Sequence, residues 1–204
     1  MSEQKLLTYG AILIGGAALA WMVASLSGPG ETSAPNPSLP SPPNDAQRTQ
    51  FGGLLAVVDP NWIRETPSSS MRLAQFRLPS QDEEAEDAEL AVFSGIGGSV
   101  QENLDRWFGQ FKQPDGSDSK SKARVQTFNV GGMNTTIADL TGTFTGGGMP
   151  MSQPVEKPEF RLLAAIVEGT AEPYYFKLVG PRITVEHWAE TFGRFIGTLR
   201  SDSR

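Results

Sequence analysis

The clearest periodic pattern in the chain is an apolar stripe between residues 99 and 111. Its members are Val100, Leu104, Trp107, Phe108 and Phe111. Spacings of three and four residues place these side chains on one side of an α-helix. Directly before the stripe, Ser99 and Glu102 form the S-x-x-E pattern of a capping box, which marks a helix start. The pattern therefore predicts an amphipathic helix over 99–111.

A second stripe with helical spacing lies near the end of the chain and predicts a helix over 184–199. Its apolar members are Val185, Trp188, Phe192, Phe195, Ile196 and Leu199. Thr184 precedes the first of them and is the expected N-cap. Both helices must bury their apolar sides against another layer of the protein.

Short apolar runs bounded by turn-forming residues predict that this layer is a β-sheet. The expected strands are 62–65, 71–78, 88–93, 124–130, 134–144, 160–168 and 174–179. Two of them, 88–93 and 160–168, are apolar on both faces, as interior strands are. Most of the connections are short, which favours antiparallel pairing. The predicted fold class is α+β: a mostly antiparallel sheet of about six or seven strands, with the two amphipathic helices packed on one face or on both.

Before this domain, Leu6 to Leu26 is a stretch of 21 residues without a charged side chain. A helix of that length spans the hydrocarbon core of a bilayer, about 30 Å. We favour an uncleaved single-pass anchor, because the apolar core of a signal peptide is usually shorter. A cleaved signal remains the alternative, since 18–20 and 23–25 each offer small residues for cleavage, and the product would be secreted or periplasmic. In both cases we expect the rest of the chain outside the cytoplasm, with Lys5 on the cytoplasmic side of an anchor.

A linker follows this segment. Residues 28–50 contain six prolines and almost no large apolar side chain, so the segment is expected to be an extended spacer. The predicted organisation is an anchor or signal at 1–27, a linker at 28–50 and an α+β domain at 51–204.

Composition excludes several kinds of chemistry. The chain has no cysteine, which removes disulfides, thiolate metal sites and thiol nucleophiles. Its single histidine argues against a His-rich metal site, and we expect no cofactor and no metal. A net charge of −6 and an acidic pI near 4.9 argue against nucleic acid as a partner, because phosphate binding needs clustered Lys and Arg.

The order of these elements resembles the Mog1/PsbP-like α/β/α fold. The resemblance covers about 140 residues and rests on Trp62, the strands at 88–93, 160–168 and 174–179, and the helices at 99–111 and 184–199. The stretches SSSMRLAQFRLP and NLDRWFGQF are also similar to those of uncharacterised membrane-tethered or secreted bacterial proteins. Members of the PsbP-like fold group mostly act as binding or assembly factors, so the resemblance implies binding rather than catalysis.

The stretch from Thr145 to Pro158 is the most suggestive candidate for binding. It carries three consecutive glycines and then Met149, Pro150 and Met151. Fourteen residues without a helix or strand pattern is long for a compact domain. Methionines on a flexible loop suit adaptable binding. An ordered hairpin with its methionines in the core is the alternative.

A second candidate binding surface lies on the first helix. Asn103, Arg106 and Gln110 follow one another at helical spacing, on the side expected opposite Trp107 and Phe108. Arginine is enriched at protein interfaces. A solvated face without a partner is the more common explanation of such a stripe.

For three further features a structural explanation is favoured over a chemical one. The glycine-rich turn at 95–99 is expected to lead into a capped helix rather than to hold a phosphate. The acidic run at 82–89 is expected to be a solvated loop, because it lacks the spacing of a calcium loop. His187 is expected on a helix surface, since no partner for general base catalysis stands out.

These patterns favour a membrane-tethered extracytoplasmic binding or assembly module without catalytic activity. Its membrane contact would be residues 6–26, and its partner an envelope protein or a small ligand. The alternative is an extracytoplasmic hydrolase whose carboxylate pair is brought together only by the fold. A purely structural envelope protein is a third hypothesis. An enzyme should show two converging titratable groups in a pocket, whereas a binding module should show a groove or a flat face.

Overall fold

The computed structural model describes residues 48–146, 156–169 and 171–202. Its strands are β1 (Thr49–Phe51), β2 (Leu54–Ala56), β3 (Ile63–Glu65), β4 (Arg72–Leu78), β5 (Ala88–Ser94), β6 (Phe111–Lys112), β7 (Arg124–Val130), β8 (Met133–Phe144), β9 (Lys157–Glu168), β10 (Tyr174–Pro181) and β11 (Arg200–Ser201). Its helices are α1 (Val100–Phe108), α2 (Ser119–Lys122) and α3 (Arg182–Gly197).

Eight of these strands form one sheet in the order β3-β4-β5-β10-β9-β8-β6, with β7 also paired to β8. Every pairing in it is antiparallel. All seven predicted strands are present, and 88–93 and 160–168 do occupy interior positions as β5 and β9. The eighth strand is the two-residue β6, which is too short for a period to show in the sequence. The α+β class with a mostly antiparallel sheet is confirmed.

Helices cover both faces of this sheet. On one face, which we call the α3 face, α3 packs over alternate residues of β5, β9 and β10, among them Leu90, Ala165 and Phe176. On the other, the α1 face, the apolar side of α1 packs over β8, β9 and Tyr175. Because side chains of a strand alternate between faces, the apolar runs of β9 and β10 serve both cores.

A second, three-stranded sheet, β1-β2-β11, was not predicted. Its strands are two or three residues long, and such segments show no alternation that periodicity could detect. Phe51 projects from β1 into the α3-face core, edge-on to the rings of Phe76, Phe176 and Phe195. The small sheet therefore closes one end of that core.

The first helix ends earlier than the stripe predicts. Gly109 is its C-cap, and the Gly109 N–H donates to the carbonyl of Asp105. The chain then turns, and Phe111 pairs with Phe144 in the sheet as part of β6. Phe111 still joins the same core, with 5% of its surface exposed, because a helix end and the next strand can present side chains to one cluster. The capping box of Ser99 and Glu102 is present as predicted.

The final helix begins at Arg182, with Pro181 as the N-cap, so the prediction of Thr184 as N-cap is wrong. Thr184 is buried in the first turn, and its hydroxyl donates to the carbonyl of Glu86 at 2.9 Å. Proline fixes the φ angle just before the helix, which lets the helix start without a side-chain cap. Leu199 lies past the helix end but is buried in the same core.

No helix in the described ranges has the length and apolarity needed to cross a membrane. The predicted membrane segment at 6–26 lies outside the described residues, as does the predicted linker apart from residues 48–50, where β1 begins.

Candidate functional site

A groove of about 450 Å³ lies on the α1 face, beside the region that α1 covers. The helix packs on the apolar part of that face, formed by β8, β9 and Tyr175. The part of this face that β4 and β5 form is polar. Arg77 on β4 lies opposite Glu89 on β5, and Arg72 on β4 lies opposite Phe93 on β5. The groove follows the border between these two parts.

Lys177 lies on the floor of this groove, in the middle of β10. Its partners in register are Ala91 on β5 and Ala164 on β9. Both alanines are buried, whereas Lys177 itself is partly buried. Ala91 lines the groove beside Lys177, whereas Ala164 lies outside the lining, in the core under α1. The small side chain of Ala91 leaves the space above this part of the floor open.

The amine of Lys177 has one hydrogen-bond partner in the described part of the protein. Its Nζ donates to Oε1 of Gln110 at 2.5 Å, and it lies 5.8 Å from the centroid of the Phe144 ring. No ion pair joins it to a carboxylate of the described residues. Gln110 is itself held in place, because its backbone carbonyl accepts from the N–H and the hydroxyl of Thr145 at 2.8 and 3.1 Å.

Burial lowers the pKa of Lys177 to about 8, from an ordinary value of 10.5. Loss of hydration is the largest cause, and the nearby guanidinium groups of Arg72 and Arg106 lower the pKa further, while Glu89 raises it. At neutral pH the side chain is still mostly a cation. The groove therefore holds a positive charge whose lost hydration is only partly replaced by contacts with the protein.

The other charged side chains that line the groove are paired with one another or with neighbours. Arg72 lies 2.9 Å from Glu89, and Lys157 lies 2.5 Å from Glu86. Asp87 accepts from the Ser80 N–H and from Arg77, and these two contacts lower its pKa. Lys177 is thus the one cation of the described groove lining whose charge is not matched by a contacting carboxylate.

Aromatic rings form the walls of the groove. Phe144 stacks on Phe160, with ring centroids 5.9 Å apart and planes 7° from parallel. The Nζ of Lys157 lies 5.3 Å from the centroid of Phe160, and the guanidinium of Arg72 lies 5.9 Å from that of Phe93. The site therefore combines apolar walls with one available positive charge, which is the usual composition of a small-molecule site.

Among the predicted binding residues of the first helix, the fold brings only Gln110 to the groove lining. Asn103 departs from the predicted exposed stripe: it is 1% exposed, and its amide donates to the carbonyls of Gly97 and Ser99 at 3.0 and 2.9 Å. The Ser99 carbonyl also accepts from the backbone N–H of Asn103 at 3.1 Å, so Asn103 ties the turn before the helix to the first turn of α1. Arg106 is exposed and donates to Oδ1 of Asn103.

The predicted binding residues Met149, Pro150 and Met151 lie outside the described residues. The last described residue before them is Gly146, and the first after them is Glu156. Gly146 and Lys157 line the groove. The participation of these three residues in binding stays a prediction.

The remaining sequence features have structural roles. Gly95, Gly97 and Gly98 have positive φ angles of 63°, 71° and 80°, as expected of a tight turn into a capped helix. His187 is exposed on α3, edge-on to the ring of Trp188. Within the described ranges, no group of three or more His, Asp or Glu side chains is arranged to hold a metal ion.

Sequence reasoning missed Lys177, although a signal was present. The strand YYFKLV is apolar except for this residue, and the strand lies in the centre of the sheet. A single charge in a central strand is costly to bury and is therefore a marker of a site. Ala91, the small residue beside it in the groove, comes from a strand distant in sequence, so the groove itself could not be predicted.

No model of a known protein family matches the chain, and no curated protein matches it. Among solved structures, it is similar to the solution structure of the PsbP protein CyanoP from the cyanobacterium Synechocystis, with 14% identity, a TM-score of 0.46, and 82% of this chain and 99% of that chain covered. It is also similar to the crystal structure of a Pseudomonas aeruginosa protein of unknown function, with 13% identity, a TM-score of 0.41, and 61% of this chain and 78% of that chain covered. The α+β class rests on the helices and strand pairing described above.

Proposed function

We propose that this chain is a non-catalytic binding module that takes a small ligand into the groove over Lys177. The observation that carries the proposal is a partly buried cation on the floor of an aromatic-walled groove, with no contacting carboxylate among the described residues. Burying a charge that lacks an opposite charge is unfavourable, so such an arrangement is kept where a ligand completes it.

The proposal includes a membrane tether at residues 6–26, with the folded domain outside the cytoplasm. It rests on the uncharged stretch of 21 residues and on the proline-rich spacer that follows it. An envelope protein remains the alternative partner, and the groove favours a small ligand because its volume lies in the range of small-molecule sites.

The alternative of a hydrolase receives less support from the carboxyl groups of the described residues, of which Asp87 lines the groove. A general acid needs a carboxyl group whose pKa is raised. In the described part of the chain, every resolved shift of a carboxyl pKa is downward, at Asp87, Glu102, Asp105 and Asp115. Each of these groups accepts hydrogen bonds that favour its charged form. This is the behaviour of structural carboxylates.

The test is recovery of the bound molecule from protein prepared in its own membranes after a high-salt wash. Retention in the washed membranes is expected for a tethered protein, because burial in hydrocarbon is not screened by salt. The released organic fraction is then compared by mass spectrometry between the natural chain and Ala91→Leu, which places three extra carbons on the groove floor. We expect at least a tenfold smaller amount of ligand with Ala91→Leu.

The matched control is Ala171→Leu, at an exposed position in the connection between β9 and β10. It adds the same carbons away from the groove and should leave the amount of ligand unchanged. Equal recovery with both variants would contradict the proposed site. Conversion of the released molecule to a product by fresh protein would instead favour the hydrolase.

A further inference from the structure

We propose that the ligand of the groove is a monoanion, a single carboxylate on an aromatic or aliphatic body, and that Lys177 pairs with the carboxylate. This inference rests on the proposed function and adds the chemical class of the ligand. Three lines of observation support it: the balance of charge in the groove, the carboxylates at its rim and the shape of its walls.

Charge balance gives the sign of the ligand. Three cations line the described groove, and two of them, Arg72 and Lys157, already contact Glu89 and Glu86. Among the described residues, the amine of Lys177 meets the neutral amide of Gln110 and the face of the Phe144 ring. An arriving anion therefore meets one cation that it can pair with directly, at a place where the low polarity of the surroundings strengthens the attraction.

The rim limits the charge of the ligand to one. Glu86, Asp87 and Glu89 all line the groove. Contacts with Ser80 and Arg77 lower the pKa of Asp87, so this side chain is ionised at neutral pH. A dianion such as a phosphate monoester would keep one negative charge after pairing with Lys177, and no unpaired cation remains in the described groove lining to meet it, because the rim cations already contact carboxylates. A monocarboxylate leaves no unpaired negative charge after it pairs with Lys177.

The walls indicate the body of the ligand. Phe93, Phe144 and Phe160 present ring surfaces to the groove, and Ala91 and Val179 give its floor an apolar character. The groove volume of about 450 Å³ suits a ligand somewhat smaller than a drug molecule. An apolar chain or ring attached to the carboxylate would pack on these surfaces and be removed from water.

The test compares three probes that share one apolar body and differ in charge: 4-phenylbutyrate, 4-phenylbutan-1-ol and 4-phenylbutyl phosphate. Octanoate serves as a second carboxylate with an aliphatic body. Binding is measured by NMR titration at pH 7, where Lys177 is mostly charged. Fragments of this size are expected to bind with a Kd of about 1 mM. We expect the carboxylate to bind at least tenfold more tightly than the alcohol and than the phosphate.

Two variants locate the effect. In Lys177→Met the preference for the acid over the alcohol should disappear, while Lys120→Met, at an exposed cation on α2 that pairs with Asp105, should retain it. Melting temperatures confirm that each variant is folded. If acid and alcohol bind alike in the natural chain and both are lost in Ala91→Leu, the groove is a ligand site but the anion assignment is overturned.

Three other results would also overturn the inference. They are tighter binding of the phosphate than of the carboxylate, a preference for the acid that survives Lys177→Met, and no saturable binding of either 4-phenylbutyrate or octanoate. Recovery of a neutral natural ligand from the membranes would refute the inference and leave the proposed function standing.

Discussion

Replacing Trp107 by alanine is expected to lower the free energy of unfolding by about 3–5 kcal/mol, the usual range for truncating a large aromatic side chain in a core. Trp107 is 3% exposed and meets the ring of Tyr175 edge-on, with centroids 6.2 Å apart. Its loss would leave a cavity between α1 and the sheet that Leu104 and Phe108 cannot fill, because both are already packed in the same cluster. Urea denaturation followed by circular dichroism measures the change.

The matched control for Trp107→Ala lies on the exposed side of the same helix. Gln101→Ala should change stability by less than about 0.5 kcal/mol, as surface substitutions usually do. If Trp107→Ala melted within a couple of degrees of the natural protein, α1 would not be docked on the sheet as described, and the position of Gln110 over Lys177 would lose its support.

Replacing Lys177 by methionine is expected to stabilise the protein at pH 7, by up to about 3 kcal/mol. The pKa of Lys177 in the folded state, about 8, lies below its ordinary value of 10.5, so folding disfavours the charged form, and each pKa unit corresponds to about 1.4 kcal/mol. Methionine keeps an unbranched apolar stem on the groove floor and removes the charge. A gain in stability that comes with loss of the preference for an acid ligand is the mark of a residue retained for function.

The pH dependence of this stabilisation has a defined sign. Below pH 8 Lys177 is charged in both states, and the folded state bears the full unfavourable contribution. Between pH 8 and 10.5 the folded state releases the proton first, so the unfolded state binds more protons and the stability of the natural chain rises with pH. The difference between Lys177→Met and the natural chain should therefore shrink over this interval.

Urea denaturation at pH 7, 8, 9 and 10 measures that trend. Lys120→Met, at an exposed cation paired with Asp105, is the control and should stay within about 0.5 kcal/mol of the natural chain. A destabilised Lys177→Met at pH 7, or a difference that does not change with pH, would show that the charge of Lys177 is well solvated in the folded state.

The strands were predictable because their residues have simple environments. In β9, apolar side chains on both faces are required by two cores, one under each helix, and this requirement is visible as the unbroken apolar run 162–167. The capping box of α1 was predictable for a similar reason, since the bonds between Ser99 and Glu102 are local. A feature that depends only on residues close together in the chain can be predicted from the sequence.

Features that depend on distant residues were missed or placed wrongly. The hydroxyl of Thr184 bonds to Glu86, far away in the chain, instead of capping its own helix. Asn103 is polar but buried, because it serves carbonyls in the preceding turn. Phe111 lies in β6, where it pairs with Phe144, and not in the predicted helix. For Thr184 and Phe111 a tertiary contact outweighed the local pattern, whereas Asn103 is buried through bonds to the neighbouring turn.

The groove is the clearest case of a feature that depends on residues distant in sequence. It arises where Ala91 and Lys177 lie side by side on β5 and β10, and that register is set by the pairing of the whole sheet. The sequence contained the lone charge in a central strand, but not the small neighbour, Ala91, that leaves space beside it. Of the residues predicted to bind a partner, Gln110 alone lines the groove within the described residues.

The most direct test of the central claim is the titration of Lys177 itself, with and without a bound carboxylate. The ¹³Cε signal of Lys177, assigned by its absence in Lys177→Met, reports its protonation by NMR. We expect a midpoint near pH 8 in the free protein and an upward shift when 4-phenylbutyrate saturates the groove, because a paired anion favours the charged amine. A midpoint near 10.5 in the free protein, or one that saturation with 4-phenylbutyrate leaves unchanged, would contradict the account.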